Sequence, residues 1–202
     1  MDRRVRVVEP PTPIVTVDEV VSHLVEVPTE DRTYVESLVL AATTWIDGPS
    51  GWLGRTLGVQ TLEYTLDNFE VEDCSDVILL PFEPLIDITS VVYLDDSGAT
   101  VTMPPEDYVL TLGGARLASD GVWPTTDDVP GAVKIRYRAG YGKPDPDDPA
   151  KLINDAPASI KVAIMMLVAQ WYRYRETVAV GASVASLPFA VAALLSPYRV
   201  YR

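Results

Sequence analysis

The sequence predicts an α+β fold: a small helical bundle, formed by N-terminal helices and a C-terminal helix, carries an inserted antiparallel β module and an extended C-terminal tail. Two observations predict it. Apolar residues recur at helical spacing before residue 48 and after residue 157, and they alternate with a period of two in between. Hydrophobic residues make up 48% of 202 residues, which is enough to form a core, and 17 prolines divide the chain into short elements.

The N-terminal stretch is expected to be extended through Pro13, because three prolines before the first helix block regular structure. Thr16 and Glu19 have the spacing of a capping box, which predicts the start of a short helix. Pro28 ends that helix, since proline cannot continue the helical hydrogen bonds.

A second helix is predicted over 29–47, where apolar residues recur every three to four positions. This spacing places them on one side of the helix, so we expect a single buried stripe. The stripe consists of Val35, Leu38, Val39, Ala42, Trp45 and Ile46.

The middle of the chain predicts about six short antiparallel strands separated by turn residues. Seven segments are candidates for these strands: 61–67, 77–80, 88–94, 100–103, 108–112, 115–117 and 132–141. The last of them alternates most regularly, with apolar residues at 133, 135, 137 and 139. Its other face carries Lys134, Arg136 and Arg138, which we expect to pair with acidic residues of neighbouring strands.

A third helix is predicted over 158–176, with apolar residues around much of its circumference, so it should be buried on several sides. The first two helices need this helix as a packing partner, which predicts a bundle made by both ends of the chain. The predicted divisions are N-terminal helices (1–58), inserted β module (59–142), acidic proline-rich linker (143–157), third bundle helix (158–176) and C-terminal docking tail (177–202).

Charge is distributed unevenly along the chain. The formal net charge is −13, yet residues 156–202 contain five Lys or Arg against one Glu, a net charge of +4 that leaves −17 for the rest. An acidic body is a poor candidate for wrapping nucleic acid, which requires clustered basic residues. The asymmetry indicates two surfaces with different partners.

The sequence does not predict an enzyme, a metal site or a cofactor. It contains one histidine, His23, one cysteine, Cys74, and no recognisable catalytic motif. The acidic stretch 145–149 could bind Ca²⁺, but it lacks EF-hand spacing and is better interpreted as a stiff, solvated loop. The longest apolar run, 162–169, is too short to cross a membrane.

Aromatic and basic residues alternate at the end of the third helix, where Trp171, Tyr172 and Tyr174 lie beside Arg173 and Arg175. Such a cluster could stack on nucleic acid bases. The same residue types dominate protein interfaces, and the acidic composition favours that interpretation.

Several segments, in this order, resemble the head–tail connector, or adaptor, proteins of tailed phages and gene transfer agents. The first two blocks are Gly54-Arg55-Thr56-Leu57 with Gln60-Thr61 and Leu66-Asp67, then Leu80-Pro81, Pro84-Leu85, Ser90-Val91 and Tyr93. The third comprises Asp107-Tyr108, Trp123-Pro124, Ala132-Val133 and Tyr137-Arg138-Ala139-Gly140-Tyr141-Gly142. The last comprises Gln170-Trp171-Tyr172, Arg175-Glu176, Leu187-Pro188-Phe189, Leu194-Leu195 and Tyr198-Arg199.

The resemblance implies a structural, non-enzymatic role in the neck of a virion or phage-like particle. Such adaptors form a ring, expected to be twelvefold, beneath the portal protein. The ring extends the DNA channel without specific DNA binding and holds a tail terminator, stopper or other head-completion protein. The expected portal or subunit interface consists of Trp171, Tyr172, Arg175, Leu187, Phe189, Leu194, Leu195, Tyr198, Arg199 and Tyr201.

Two alternatives remain open at this stage. The β module could instead bind a ligand or glycan in a baseplate or receptor-binding component, although the strands offer no convincing aromatic platform. The tail from residue 178 is expected to be mobile until it docks, because Gly181, Ala182 and Ser183 form a flexible hinge. The competing possibility is that this tail folds back onto its own bundle.

Overall fold

The α+β class is confirmed by a computed structural model that describes residues 4–70, 77–118, 122–148, 151–175 and 189–201. The α-helices of these residues are α1 (Val17–Leu24), α2 (Arg32–Ile46), α3 (Ala158–Arg173) and α4 (Phe189–Leu195). Short 3-10 helices cover Thr29–Asp31, Pro105–Asp107 and Ser196–Tyr198.

The strands of the described residues form three antiparallel sheets. In chain order they are β1 (Val5–Glu9), β2 (Gln60–Leu66), β3 (Val77–Leu79), β4 (Leu85–Leu94), β5 (Thr100–Thr102), β6 (Tyr108–Thr111), β7 (Gly114–Leu117), β8 (Val133–Ala139), β9 (Gly142–Pro144) and β10 (Leu152–Asn154). The largest sheet has the order β1-β2-β8-β4-β5, a second has the order β3-β7-β6, and β9 pairs with β10.

The helices share one hydrophobic core. The predicted capping box begins α1: the Thr16 hydroxyl accepts a hydrogen bond from the Glu19 amide at 3.1 Å, and the Glu19 carboxylate accepts one from the Thr16 amide at 2.6 Å. Val20 of α1, Val35 of α2 and Ile164 of α3 are fully buried in this core. Helix packing therefore joins elements from the two ends of the chain.

The five-stranded sheet has its own core, centred on β8. Its side chains alternate between buried and solvent-facing positions, as the sequence predicts. Tyr137 is fully buried, and its hydroxyl donates a 2.7 Å hydrogen bond to the Pro81 carbonyl. On the opposite face, Arg136 binds Glu63 at 2.7 Å and Arg138 binds Asp87, which confirms the expected ion pairs across strands for these two arginines.

Two segments contain regular strands that the sequence did not predict, one in the extended N-terminal stretch and one in the proline-rich linker. Val5–Glu9 forms the edge strand β1, because the prolines that block regular structure begin only at Pro10. Gly142–Pro144 and Leu152–Asn154 pair as a hairpin inside the predicted linker. Both cases concern strands that expose most of their side chains or contain only three residues, so alternation gives little signal.

The C-terminal tail is not extended where the structure describes it, and the expected mobility is wrong for 189–201. Helix α4 packs against α3, and its Val191 and Leu195 are fully buried in the helical core. Their spacing of four residues puts both on one helix face, which explains the packing. The proposed hinge at Gly181 lies outside the described residues.

A buried carboxylate joins the helical half to the sheet. Asp47 follows α2, and its oxygens accept hydrogen bonds from the Leu57 amide at 2.7 Å, the Gly58 amide at 3.0 Å and the Gln60 side chain at 3.2 Å. Burial raises the pKa of Asp47 to about 6, although hydrogen bonds from Gly58, Leu57, Gly48 and Gln60 act in the opposite direction. The segment that leads into β2 is thus fixed to the end of α2.

Replacing this carboxylate should destabilise the protein. In Asp47→Asn one acceptor oxygen becomes an NH₂ donor, which would face a backbone N–H and leave it unsatisfied. We expect the free energy of unfolding at pH 7 to fall by about 1–3 kcal/mol in a urea titration. Asp107→Asn, at an exposed position, is the matched control and should stay within about 0.5 kcal/mol of wild type.

The effect of Asp47→Asn on stability should also depend on pH. Because the folded-state pKa of Asp47 lies above its unfolded value of 3.8, protonation favours folding, and this contribution is lost as pH rises through about 6. On acidification the wild type gains this contribution to the free energy of unfolding, and Asp47→Asn does not. The difference in free energy of unfolding between the wild type and the variant should therefore be larger at pH 5 than at pH 7. A difference in free energy of unfolding that becomes smaller on acidification would contradict the raised pKa of Asp47.

The buried face of α4 gives a second stability prediction. Leu195→Ala creates a cavity in the helical core and should lower the free energy of unfolding by about 2–5 kcal/mol. Phe189→Ala, on the same helix but 89% exposed, should change it by less than about 0.5 kcal/mol. Equal and small effects in thermal unfolding would show that α4 does not belong to the core.

Candidate docking surface

Four of the ten predicted interface residues lie in two aromatic–arginine clusters, and the first cluster, with Tyr172 and Arg175, lies where α3 ends. The Tyr172 hydroxyl donates a 2.6 Å hydrogen bond to Asp31, and the Arg175 guanidinium binds the same carboxylate. Arg175 lies over two rings, with its Cζ atom 4.9 Å from the ring centroid of Tyr34 and 4.7 Å from that of Tyr172. This cluster connects the end of α3 with the start of α2.

The electrostatics of this cluster are those of a satisfied ion pair. Hydrogen bonds from Tyr172 and Arg175 lower the pKa of Asp31, so the carboxylate is ionised at neutral pH. The hydrogen bond to Asp31 raises the pKa of Tyr172, so its hydroxyl stays protonated. The arrangement fixes the orientation of two rings and a guanidinium at the surface, which suits recognition rather than proton transfer.

The second cluster surrounds the loop after α2. The Cζ atom of Arg199 lies 4.1 Å from the ring centroid of Trp52 and 4.7 Å from that of Tyr201. Trp52 stacks on Trp45 of α2, with ring centroids 6.1 Å apart and planes inclined by 13°. A cation held over aromatic faces is a favourable contact, and here it places Tyr201 at the surface.

Backbone contacts hold the C-terminal segment, 196–201, in this position. The Val200 amide donates a 2.8 Å hydrogen bond to the Leu53 carbonyl, and the hydroxyls of Tyr198 and Ser159 are 2.9 Å apart. At Gly54, where φ is +67°, a Cβ atom would lie 2.7 Å from the Val200 carbonyl oxygen. The close approach therefore requires glycine at this position.

The other predicted residues differ in exposure. Phe189 and Tyr201 are 89% and 79% exposed, whereas Trp171, Leu194 and Tyr198 are half-buried against the helical core. Leu195, predicted at an interface, is fully buried within the subunit. Leu187 lies outside the described residues.

Sequence reasoning missed Trp45 and Trp52. Trp45 is predicted on the buried stripe of α2 but is 39% exposed, because the stripe that faces the core runs through Val35, Val39 and Ile46. Trp52 lies in a glycine-rich turn that carries no periodic signal. Two tryptophans close together in the sequence, one before and one after a glycine-rich turn, are the signal that points to this pair.

No feature of the described residues indicates catalysis. His23 is exposed on α1, and these residues contain no group of three or more His, Cys, Asp or Glu side chains able to hold a metal ion. Cys74 lies outside the described residues. No described helix is both long enough and apolar enough to cross a membrane.

The strands do not supply an exposed aromatic platform in the part of the chain that the structure describes. Phe69 stacks on Trp123 with ring centroids 4.9 Å apart, and Phe69 is only 5% exposed. Tyr64 and Tyr93 are half-buried, while Tyr108 and Tyr137 are buried. The geometry therefore gives no support to a glycan-binding β module.

Comparison with solved structures finds the same fold in particle necks. The chain is similar to a chain from the neck of an empty GTA particle computed with C6 symmetry, with a TM-score of 0.68, 22% identity, and coverage of 98% of this chain and 96% of that one. It is also similar to chains from the virion of a native gene transfer agent (GTA) particle and from a native GTA neck computed with C12 symmetry. Their TM-scores are 0.64 and 0.61, each with 20% identity and the same coverage.

No curated protein matches the chain. The model of one protein family, described as HCP, head completion protein, matches residues 13–201. This match spans the helices, all three sheets except β1, and the C-terminal segment. The chain belongs to the head completion protein family.

Proposed function

We propose that the protein is a structural adaptor in the neck of a phage-like particle. It forms a ring beneath the portal protein, extends the DNA channel and provides the attachment site for the tail or for the next head-completion protein. Membership of the head completion protein family supports this assignment, as does the similarity to chains of GTA particle necks. The ring is expected to be twelvefold, in keeping with the symmetry computed for one of those necks.

The distribution of exposed aromatic side chains carries the proposal. Among the described residues, the exposed aromatic side chains are Trp45, Tyr174, Phe189 and Tyr201, which lie on α2, directly after α3, on α4 and in the C-terminal segment. The tyrosines of the strands are half-buried or buried. Aromatic residues beside arginines supply most of the binding energy in protein interfaces, so the helical side is the surface that a portal or a neighbouring subunit would contact.

Docking by the C-terminal segment starts from an ordered arrangement. Val191 and Leu195 anchor α4 in the core, and Phe189 is exposed at the start of this helix. In the segment that follows α4, Tyr201 is exposed and Arg199 lies between the rings of Trp52 and Tyr201. Side chains that are ordered before binding lose less conformational entropy on association. The docking surface is therefore already formed before binding, in contrast to the expected tail that becomes ordered only on docking.

The sheet face suits a channel that DNA passes without adhering. Arg136 and Arg6 both bind Glu63, and Arg138 binds Asp87, so these guanidiniums are already paired with carboxylates. Burial acts to raise the pKa of Glu63, but the hydrogen bond from Arg136 and the charge of Arg6 outweigh it, so the pKa is lowered. The formal net charge of −13 adds a general repulsion between the subunit and phosphates.

A genetic experiment tests the proposed role. Deleting the protein in cells that make the particle should leave packaged heads without attached tails, visible by negative-stain microscopy. The double variant Phe189→Ala and Tyr201→Ala should reduce attachment at least about tenfold, since each exposed aromatic anchor contributes roughly 1–2 kcal/mol. Its purified subunit should unfold at the wild-type temperature.

Leu112→Ala is the matched control, because Leu112 is 99% exposed but lies on the β6–β7 turn. This variant should attach tails normally. Complete tailed particles in the deletion background would show that the protein is not the adaptor. Normal attachment by the double aromatic variant would instead show that the docking surface lies elsewhere.

Binding to bare DNA should be negligible at physiological salt. Duplex DNA titrated with the purified protein at 150 mM salt should give no saturable binding at micromolar protein concentrations, because the arginines of the sheet are paired and the net charge is negative. Tight binding that weakens steeply as salt is added would contradict the proposed passive channel.

A further inference from the structure

The two outer strands of the five-stranded sheet run in the same direction, and each has an open edge. Its order is β1-β2-β8-β4-β5 and every neighbouring pair is antiparallel, so the outer strands β1 and β5 run in the same direction. Within the described part of the chain, β1 pairs with β2 alone and β5 with β4 alone. Each strand therefore presents one row of backbone N–H and C=O groups outward.

The hydrogen bonds show the backbone phase of each edge strand, that is, which of its residues direct their N–H and C=O groups toward the sheet and which direct them outward. The Thr65 amide donates to the Arg4 carbonyl, so Arg4 directs its polar groups toward β2, and Val5 directs its own outward. The Met103 amide donates to the Val91 carbonyl, so Met103 and Val101 bond toward β4. Thr100 and Thr102 therefore carry the outward-facing groups of β5.

We propose that β5 of one subunit pairs in parallel with β1 of the next, so that the five-stranded sheets join into one continuous sheet around the ring. This inference rests on the proposed ring. A rotation about the ring axis preserves strand direction, and β1 and β5 share a direction, so the pairing must be parallel. A head-to-tail contact of this kind uses two different surfaces on opposite sides of the subunit, as ring closure requires.

The register follows from the backbone phase and the side-chain faces. In a parallel pair of strands, a residue whose backbone N–H and C=O point toward the partner strand lies opposite a residue whose N–H and C=O point away from it. Val5 then lies opposite Val101, and both side chains are on the core side of their sheets. The Val5 amide donates to the Thr100 carbonyl of the neighbouring copy, and the Val5 carbonyl accepts from that copy's Thr102 amide.

Charge complementarity favours the same alignment. Arg4 and Arg6 lie at the start of β1, and both are exposed, although Arg4 approaches Asp67 within 3.8 Å and Arg6 binds Glu63. The turn that leads into β5 carries Asp95 and Asp96. Because the strands run in parallel, the basic start of β1 lies beside the acidic turn of the next copy. Such pairs chiefly set orientation and register.

The edge of β1 lacks two of the features that commonly prevent pairing, although it is irregular between Val7 and Glu9. Val7 and Val8 are 41% and 38% exposed, and the strand contains neither proline nor lysine. Edge strands of monomeric proteins are commonly blocked by such residues. An exposed pair of valines on an open edge is consistent with a strand that is covered in the assembled particle.

Removing one edge donor tests the pairing. Thr102→Pro deletes the amide that would donate to the neighbouring copy, while the bonds from Val101 and Met103 to β4 remain. Thr102→Ala keeps the amide and is the matched control. With chromosomal replacement, we expect at least a tenfold loss of the protein from purified particles for Thr102→Pro and wild-type incorporation for Thr102→Ala. Circular dichroism and thermal unfolding of both purified variants check that the subunit fold is unchanged.

Cysteine cross-linking on purified particles gives a second, independent measurement. In a Cys74→Ser background, the pair Arg4→Cys and Thr100→Cys should yield a ladder of covalent multimers after mild oxidation. Each single cysteine should yield none. The control pair Val25→Cys and Thr100→Cys, with Val25 74% exposed on the helical side, should also give no ladder.

The outcomes separate this inference from the proposed function. If the cysteine variant is present in the necks and no ladder forms, or if Thr102→Pro folds and assembles normally, the shared sheet is wrong while the adaptor role stands. If the unaltered protein is absent from the particles, the proposed function itself fails. Covalent dimers from Thr100→Cys alone would indicate a two-fold contact and would also overturn the head-to-tail pairing.

Discussion

The fold depends on how a single carboxylate is buried. Asp47 ends α2 and receives hydrogen bonds from the backbone of Leu57 and Gly58, the segment that enters the five-stranded sheet. The Tyr141 amide donates to the Leu57 carbonyl, so the exit from β8 is bound to the same segment. Two hydrophobic cores that could move independently are thereby fixed to one another by backbone hydrogen bonds in a buried position.

Close backbone approach makes this junction possible. A Cβ atom at Gly58 would lie 2.3 Å from the Thr12 carbonyl oxygen, and one at Gly140 would lie 2.3 Å from the Gly58 carbonyl oxygen. Three stretches of the chain therefore meet where side chains cannot be accommodated. The consequence is a subunit whose proposed docking face, on the helices, is held at a fixed orientation to its sheet.

The helical side and the five-stranded sheet have different proposed roles. The helical side exposes aromatic rings beside Arg175 and Arg199, each ordered by stacking, and this is the side suited to binding other proteins. The sheet buries its apolar residues and neutralises its outward arginines with Glu63 and Asp87. The proposed pairing between subunits uses the backbone at the edges of this sheet, which the side-chain pattern does not show.

The sequence by itself determined the α+β class, the first three helices, most strands and the family resemblance, because these follow from local periodicity and from residue order. Only the tertiary structure decided that Val5–Glu9 completes a sheet, that α4 packs in the core, and that Trp45 and Trp52 stack beside Arg199. Each of these depends on contacts between residues far apart in the chain or across a turn. Such contacts arise from burial of apolar surface. The periodicity of a segment shows which of its faces is apolar, but not which other element packs against that face.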